Sequence, residues 1–135
     1  MKTALRFALS VILIATFSFA AAPQSQAQSS GEAWLSLIDG GKYDQSWAQS
    51  ATLFRTQVPQ QKWAEMVGAV RGPMGALKSR KLKNITFAKA LPGVPDGNYA
   101  VIQFDTVFGN KAVAVETLTV ADDNGQWRAA GYFIK

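Results

Sequence analysis

The feature of this sequence that most constrains its fold is a change in hydrophobic period near Ser79. Before that point, apolar residues such as Trp63, Met66 and Val70 recur three and four positions apart, which is the spacing of one helix face. After it, apolar and polar residues alternate, as in β-strands that bury one face. A chain that changes once from helices to consecutive strands is typical of an α+β domain.

Three helices are predicted before the change in period, at about 29–38, 43–55 and 59–71. Ser29 or Ser30 can cap the first helix, and Asp39-Gly40-Gly41 ends it because glycine readily adopts the left-handed conformation beyond a helix end. The third helix begins at Pro59, whose missing N–H would be unpaired in a first turn anyway.

Four strands are predicted after the change in period, at about 81–91, 99–108, 112–121 and 126–134. A turn rich in proline and glycine separates the first two strands, and Gly109-Asn110 is a two-residue hairpin signal between the second and third. Each strand follows the last through a turn. The sequence therefore predicts an α+β domain with three N-terminal helices packed on one face of a twisted four-stranded antiparallel meander.

Residues 1–27 are predicted to be a signal peptide. Lys2 and Arg6 form a basic start, positions 7–22 are mainly apolar, and Ser25-Gln26-Ala27 supplies the small residues of a cleavage site. An apolar run of about 16 residues is shorter than the roughly 20 needed to span a bilayer. We expect cleavage after Ala27, a periplasmic or secreted product and one domain over 28–135, with an uncleaved anchor as the alternative.

The composition excludes most familiar active sites. The chain has no Cys and no His, so disulfides, thiolate nucleophiles, imidazole bases and zinc sites of thiolate and imidazole are excluded. No metal site and no cofactor are predicted. Without Lys2 and Arg6, 12 basic and 9 acidic residues give the predicted mature chain a net charge of +3, an ordinary solubilising charge.

A family resemblance rests on a set of short motifs that occur in a fixed order along nearly the whole predicted mature chain. They are Trp34-Leu35, Asp39-Gly40-Gly41, Ser46-Trp47, Phe54-Arg55, Trp63, the run 71–75, the run 91–97 with Tyr99, Glu116-Thr117 and the run 127–134. Together they resemble the bacterial family called domain of unknown function 4019. The resemblance implies a small exported domain of the cystatin-like or nuclear-transport-factor-2-like cone type, and it supplies no catalytic residues.

Two carboxylates are the candidates for acid/base chemistry. If Gly109-Asn110 is a two-residue turn and the register continues unchanged, Asp105 and Glu116 become diagonal neighbours on one sheet face. Neighbouring carboxylates can raise one another's pKa and work as an acid/base pair. The alternation favours the simpler interpretation that both face solvent while Ile102 and Phe104 face the core, and a one-residue bulge would reverse this.

A cone-shaped fold can also hold a ligand between its sheet and helices. Trp47 and Tyr99 could line such a pocket together with Trp63, Trp127 and Tyr132, and Arg71 could act as a polar handle. Core packing explains the same aromatic residues. The candidate ligand-binding residues are Trp47, Arg71, Tyr99, Asp105 and Glu116.

A basic segment lies between the third helix and the first strand. It contains Lys78, Arg80, Lys81 and Lys83, followed by Lys89. These charges could bind an anionic surface, whereas the simpler interpretation is a solvated edge strand protected by lysines. Nucleic acid is not an expected partner, since the segment has no aromatic stacking platform and the protein is expected outside the cytoplasm.

These observations lead to one main hypothesis and two alternatives. The main hypothesis is an exported, non-catalytic accessory domain that binds a protein or a small ligand. The first alternative is a small hydrolase- or isomerase-like enzyme that uses Asp105 and Glu116, and the second is a module that binds anionic surfaces through Lys78–Lys89. Membrane association is not expected after signal cleavage.

Overall fold

The computed structural model of the protein describes residues 22–135, so most of the predicted signal peptide lies outside the described residues. Helices come first: α1 (Pro23–Asp39), α2 (Tyr43–Ala48), α3 (Thr52–Gln57) and α4 (Gln60–Met74). They are followed by β1 (Leu77–Ala88), β2 (Tyr99–Phe108), β3 (Lys111–Asp123) and β4 (Gln126–Ile134). The strands form one antiparallel sheet in the order β1-β2-β3-β4, which confirms the α+β class and the meander.

Helix α1 begins earlier than the sequence predicts. Its first residue is Pro23, so Ser29 and Ser30 lie inside the helix and do not cap it. Proline suits a first helical position because it has no N–H to leave unpaired. The extra turns bring Ala27, the residue before the predicted cleavage position, into the buried core.

The predicted second helix is divided into α2 and α3. At the break, the backbone N–H of Ala51 donates to the carbonyl of Ala129 on β4 at 2.7 Å, and Ala51 is extended. Thr52, the first residue of α3, donates from its N–H and its hydroxyl to Asp123 Oδ2, both at 2.9 Å. These bonds to distant strands override the helical pattern, which continues through this segment in the sequence.

The register of β2 and β3 differs from the predicted one. The two-residue turn places Phe108 opposite Lys111 as expected, but a bulge between Thr106 and Phe108 then shifts the pairing by one residue. Phe104 therefore lies opposite Glu116, and Asp105 lies opposite Val115. The predicted face of Glu116 is wrong, since a one-residue shift moves every later side chain of one strand to the other face.

The main core lies between α1, α4 and one face of the sheet, with α1 very close to the two central strands. A Cβ added to Gly31 would lie 3.0 Å from Leu118 Cδ2 and 3.2 Å from Ile102 Cδ1, so only glycine leaves room for this approach. The buried members of this core are Ala27, Trp34, Leu35, Ile38, Trp63, Val67, Ala100, Ile102, Phe104, Leu118, Val120 and Ala129. Within residues 22–135, no helix is both long and apolar enough to cross a bilayer.

Candidate functional site

A group of polar side chains lies buried between the sheet and the helices, and we call it the polar cluster. Its members are Asp39 on α1, Arg71 on α4, Arg80 on β1, Thr106 on β2, Glu116 on β3 and Tyr132 on β4. All four strands and two helices contribute to it. Charged groups at this depth are stable only when each is paired and hydrogen-bonded.

Glu116 is the fully buried centre of the polar cluster, with a relative exposure of 0%. Its Oε1 accepts from Arg80 Nε at 2.7 Å and from the Thr106 hydroxyl at 2.6 Å. Its Oε2 accepts from Arg80 Nη2 at 3.1 Å and from the Tyr132 hydroxyl. Four donors thus replace the water that the carboxylate loses on folding.

Asp39 joins the two arginines of the polar cluster. Arg80 donates to both of its carboxylate oxygens, at 2.8 and 2.9 Å, and Arg71 Nη2 donates to Oδ1 at 2.9 Å. Burial raises the pKa of Asp39, but the hydrogen bonds and positive charges of Arg80 and Arg71 outweigh it and hold the pKa below its ordinary value. Asp39 is therefore ionised together with both arginines.

Arg71 has fewer partners than Arg80. Its guanidinium lies over the ring of Phe108, with 4.6 Å between the guanidinium carbon and the ring centroid. Only Nη2 has a hydrogen bond to Asp39, while Nε and Nη1 are buried and lack a partner within the described part of the chain. Arg71 is therefore held by one ion pair and one aromatic face, and it does not line the grooves described below.

The polar cluster has little capacity for proton transfer. Burial, and then the negative charge of Glu116, raises the pKa of Tyr132, so its hydroxyl stays protonated. The carboxylates of Asp39 and Glu116 are both paired with arginine. Asp105 lies on the opposite sheet face, exposed and 3.9 Å from Lys83 Nζ, so the predicted carboxylate pair does not form.

A groove of about 500 Å³ lies at the end of the sheet where α1 begins, and we call it the end groove. Phe87 of β1 and Trp127 of β4 contact each other edge to face, with ring centroids 6.0 Å apart, and Phe87 is 47% exposed. The groove is lined by Pro23, Phe87, Ala88, Lys89, Asn98, Tyr99, Asp122 and Trp127. Its walls are mainly apolar, and the polar side-chain groups of its lining residues include one amine, one amide, one carboxylate and one phenol hydroxyl.

Of the candidate ligand-binding residues, only Tyr99 lines the end groove. Its side chain is buried, and its hydroxyl donates to the Pro95 carbonyl at 2.5 Å. Trp47 packs against the main core and donates from Nε1 to the Val58 carbonyl at 2.7 Å. Arg71 and Glu116 both belong to the polar cluster, where Asp39 and Arg80 link them, whereas Asp105 lies on the other sheet face.

The basic segment is divided by the sheet. Lys78, Lys81, Lys83 and Lys89 are exposed, but Arg80 points into the polar cluster. The prediction that Arg80 belongs to a solvent-facing patch is therefore wrong. Strand alternation causes this, since Arg80 lies opposite Thr106 on the face that the helices cover.

A smaller apolar groove of about 180 Å³ lies between α4 and β4. Met66, Val70 and Phe133 are half exposed around it, while Trp63 and Tyr132 reach it from the core. It has no charged lining residue. Over residues 22–135, no three Asp or Glu side chains come together in a way that could hold a metal ion.

Sequence reasoning missed several residues of these sites. No local motif marks Phe87 or Asp122 as a site residue, although the sequence places both near strand ends, Asp122 in the run Asp122-Asp123-Asn124-Gly125. In the sequence, Asp39 is recognisable only as part of a helix stop. Its role depends on two arginines 32 and 41 residues away, which no local pattern reveals.

The fold and these sites define a small α+β domain in which helices cover one face of an antiparallel meander and an aromatic groove opens at one sheet end. The family model described as "Protein of unknown function (DUF4019)" matches residues 30–132. The chain therefore belongs to this family. No curated protein sequence showed significant similarity to it.

Proposed function

We propose that the protein is an exported, non-catalytic binding domain whose ligand occupies the end groove. The observation that carries this proposal is an open concavity of about 500 Å³ walled by Phe87 and Trp127. Ligand sites are typically concave, mostly apolar and about 300–1,000 Å³ in volume, with a few polar groups that orient the ligand. The predicted signal peptide supports the export part of the proposal.

The placement of the carboxylates counts against the acid/base alternative. Asp105 and Glu116 are on opposite sheet faces, and Glu116 is saturated by Arg80, Thr106 and Tyr132. A general base must reach the proton that it removes. Glu116 has no exposed surface from which to do so.

The lining of the end groove suggests an amphipathic ligand. Phe87 and Trp127 offer apolar contact, and aromatic faces stabilise both apolar and planar groups. Lys89 and Asn98 lie together at the rim, with Lys89 Nζ 3.2 Å from Asn98 Oδ1. An apolar ligand with an anionic end would place its apolar part between the aromatic rings and its charge beside Lys89.

The fluorescent probe 8-anilinonaphthalene-1-sulfonate has this chemistry and tests the groove. Its fluorescence should rise on binding to the native protein, and Phe87→Ala or Trp127→Ala should weaken the affinity at least tenfold. Val113→Ala is the matched control, because Val113 is an apolar strand residue that is 82% exposed and lies outside the groove. Near-ultraviolet circular dichroism should show that each variant remains folded.

Two results would contradict the proposal. One is no binding of the probe to the native protein. The other is binding that Phe87→Ala and Trp127→Ala leave unchanged, with loss instead in Met66→Ala or Phe133→Ala, which would move the site to the groove between α4 and β4.

A further inference from the structure

The two edges of the sheet differ in how well they are covered. On β4, the Ala129 carbonyl accepts from Ala51 N–H, and α3 packs against the strand. Strand β1, which is twelve residues long, forms the other edge, and within residues 22–135 no further strand pairs with its outer side. An uncovered edge presents a row of N–H and C=O groups that can pair with an added strand.

The open edge of β1 has an apolar side and a basic side. Leu82 and Phe87 lie opposite the buried Phe104 and Ala100 and therefore point to the helix side of the sheet. They are nevertheless 38% and 47% exposed, so the helices cover this edge only in part. Lys81 and Thr86 lie on the opposite side and are exposed. An added strand would therefore meet apolar contacts on one face and cations on the other.

The positive charges along this edge are largely uncompensated. Lys83 has a carboxylate nearby, that of Asp105 at 3.9 Å, and both side chains are about half exposed. Lys78, Lys81 and Lys89 have no carboxylate within 4.0 Å among the residues that the structure describes. Charge complementarity therefore favours an acidic partner. A second copy of this chain would bring two basic edges together and be repelled.

Two bulges limit where a regular ladder can form. The register of β1 shifts at Lys78 and again at Lys83, whereas Asn84–Ala88 pairs with β2 without interruption. This uninterrupted stretch leads directly into the end groove, which Phe87, Ala88 and Lys89 line. A strand added beside Asn84–Ala88 could thus place one apolar side chain in the groove.

We infer that the ligand of the end groove is an extended acidic peptide segment, which pairs with the outer edge of β1 along Asn84–Ala88 and inserts an apolar side chain beside Phe87. The inference rests on the proposed function and names its ligand class. Main-chain hydrogen bonds supply affinity in strand addition, and side-chain pockets supply specificity. Here the lysines select acidic residues and the groove selects the apolar one.

The probe is the peptide acetyl-Val-Glu-Val-Glu-Val-Glu-Val-Glu-amide with a fluorescent label, measured by anisotropy at low salt. Lys81→Gln with Lys83→Gln should weaken its affinity at least tenfold. The matched control removes two other exposed lysines, Lys42→Gln with Lys62→Gln, and should change the affinity less than threefold. Phe87→Ala should weaken binding by a similar factor to the first double variant.

Two N-methylated forms of the peptide separate strand pairing from charge attraction. One carries the methyl groups on every valine nitrogen and the other on every glutamate nitrogen. Because alternate N–H groups of a strand point to opposite edges, one form should retain binding and the other should lose at least tenfold. Amide NMR signals of residues 84–88 should shift with the form that binds.

Equal binding of both methylated forms would overturn the inference. So would equally tight binding to vesicles of phosphatidylglycerol, since this would indicate a charged surface site. Absence of peptide binding while the naphthalene probe still binds through Phe87 and Trp127 would refute the peptide and leave the groove intact. Absence of both would refute the inference and the proposed function together.

Discussion

Glu116 is fully buried, and four neighbouring donor groups take the place of water around its side-chain oxygens. Asp105, eleven positions earlier on the same hairpin, is exposed and only loosely paired with Lys83. The bulge between Thr106 and Phe108 places these two carboxylates on opposite faces of the sheet. Two carboxylates that alternation alone would place on one face therefore have opposite environments and different effects on stability.

Glu116→Gln should lower the free energy of unfolding by about 3 kcal/mol or more, because removing one partner of a buried ion pair leaves the other charge uncompensated. Asp105→Asn is the matched control, since it also removes one negative charge from this hairpin. Its effect should stay within about 0.5 kcal/mol, as for most surface substitutions. Urea unfolding of both variants measures the difference. A small effect of Glu116→Gln would contradict the contacts of Arg80 and Thr106 with this carboxylate.

Asp39 makes stability depend on pH in the acid range. Its folded pKa lies below the ordinary value of about 3.9, so folding favours the ionised form. The resulting stabilisation is complete above that value and is lost as the pH falls through the folded pKa. The stability difference between native protein and Asp39→Asn should thus be full at pH 7 and shrink below about pH 4. Urea midpoints between pH 2 and 7 test this, and a difference that grew on acidification would contradict it.

Tyr132 should make the stability of the fold depend on pH in the alkaline range. Its folded pKa is raised, so the unfolded chain ionises first as the pH passes its ordinary value of about 10. The contribution of Tyr132 is therefore complete below that value and declines above it. Tyr132→Phe should lose this part of the alkaline decline, which the same urea titrations extended to pH 11 would detect.

At the scale of elements, the bounds that depend on local turns could be predicted from the sequence, whereas those that depend on contacts with distant residues could not. The bounds of β2 and β4 agree with the sequence prediction, because Gly109-Asn110 and Asn124-Gly125 determine their turns locally. Asn124 and Gly125 both have positive φ, as such a two-residue turn requires. The break at Ala51 depends on a bond to Ala129, 78 residues away, and no periodicity in the segment indicates it.

The same substitution should have opposite effects in two helices. Gly68 on α4 has room, since an added Cβ would lie 3.4 Å from Tyr43 Cε2, an ordinary contact. Gly68→Ala should raise the free energy of unfolding by about 0.5–1 kcal/mol, the cost of glycine inside a helix. Gly31→Ala should lower it, because the new methyl would press against Leu118 and Ile102, both fully buried. Urea unfolding midpoints, at an unchanged m-value, compare the stabilities of the two variants. An equal gain in stability from both substitutions would refute the close approach of α1 to the sheet.

At the scale of the whole molecule, the aromatic residues serve two purposes that the sequence could not separate. Trp34 and Trp63 pack together in the core with ring centroids 5.9 Å apart, and their indole N–H groups bond to Ser46. Phe87 and Trp127 meet at the end of the sheet. Helical spacing places the first pair on apolar helix faces, which either core packing or pocket lining would explain. The second pair comes from strands 40 residues apart in sequence, and only the sheet brings them together.

The start of the mature chain matters to both the core and the end groove. The sequence predicts cleavage after Ala27, yet α1 begins at Pro23, Ala27 is buried and Pro23 lines the groove. A chain that begins at Gln28 lacks these contacts. It should unfold about 1 kcal/mol more easily than one that begins at Pro23, since burial of one methyl group contributes about 0.8 kcal/mol.

We expect the exported protein to begin near Gln28, as mass spectrometry of the periplasmic fraction or the medium would establish. The chain from Gln28 should still bind the naphthalene probe, because Phe87 and Trp127 do not depend on residues 23–27 for their mutual contact. Urea unfolding of chains beginning at Pro23 and at Gln28 provides the stability comparison. Recovery of the protein in the membrane fraction with Met1 retained would contradict cleavage. The apolar run 7–22 would then act as an anchor.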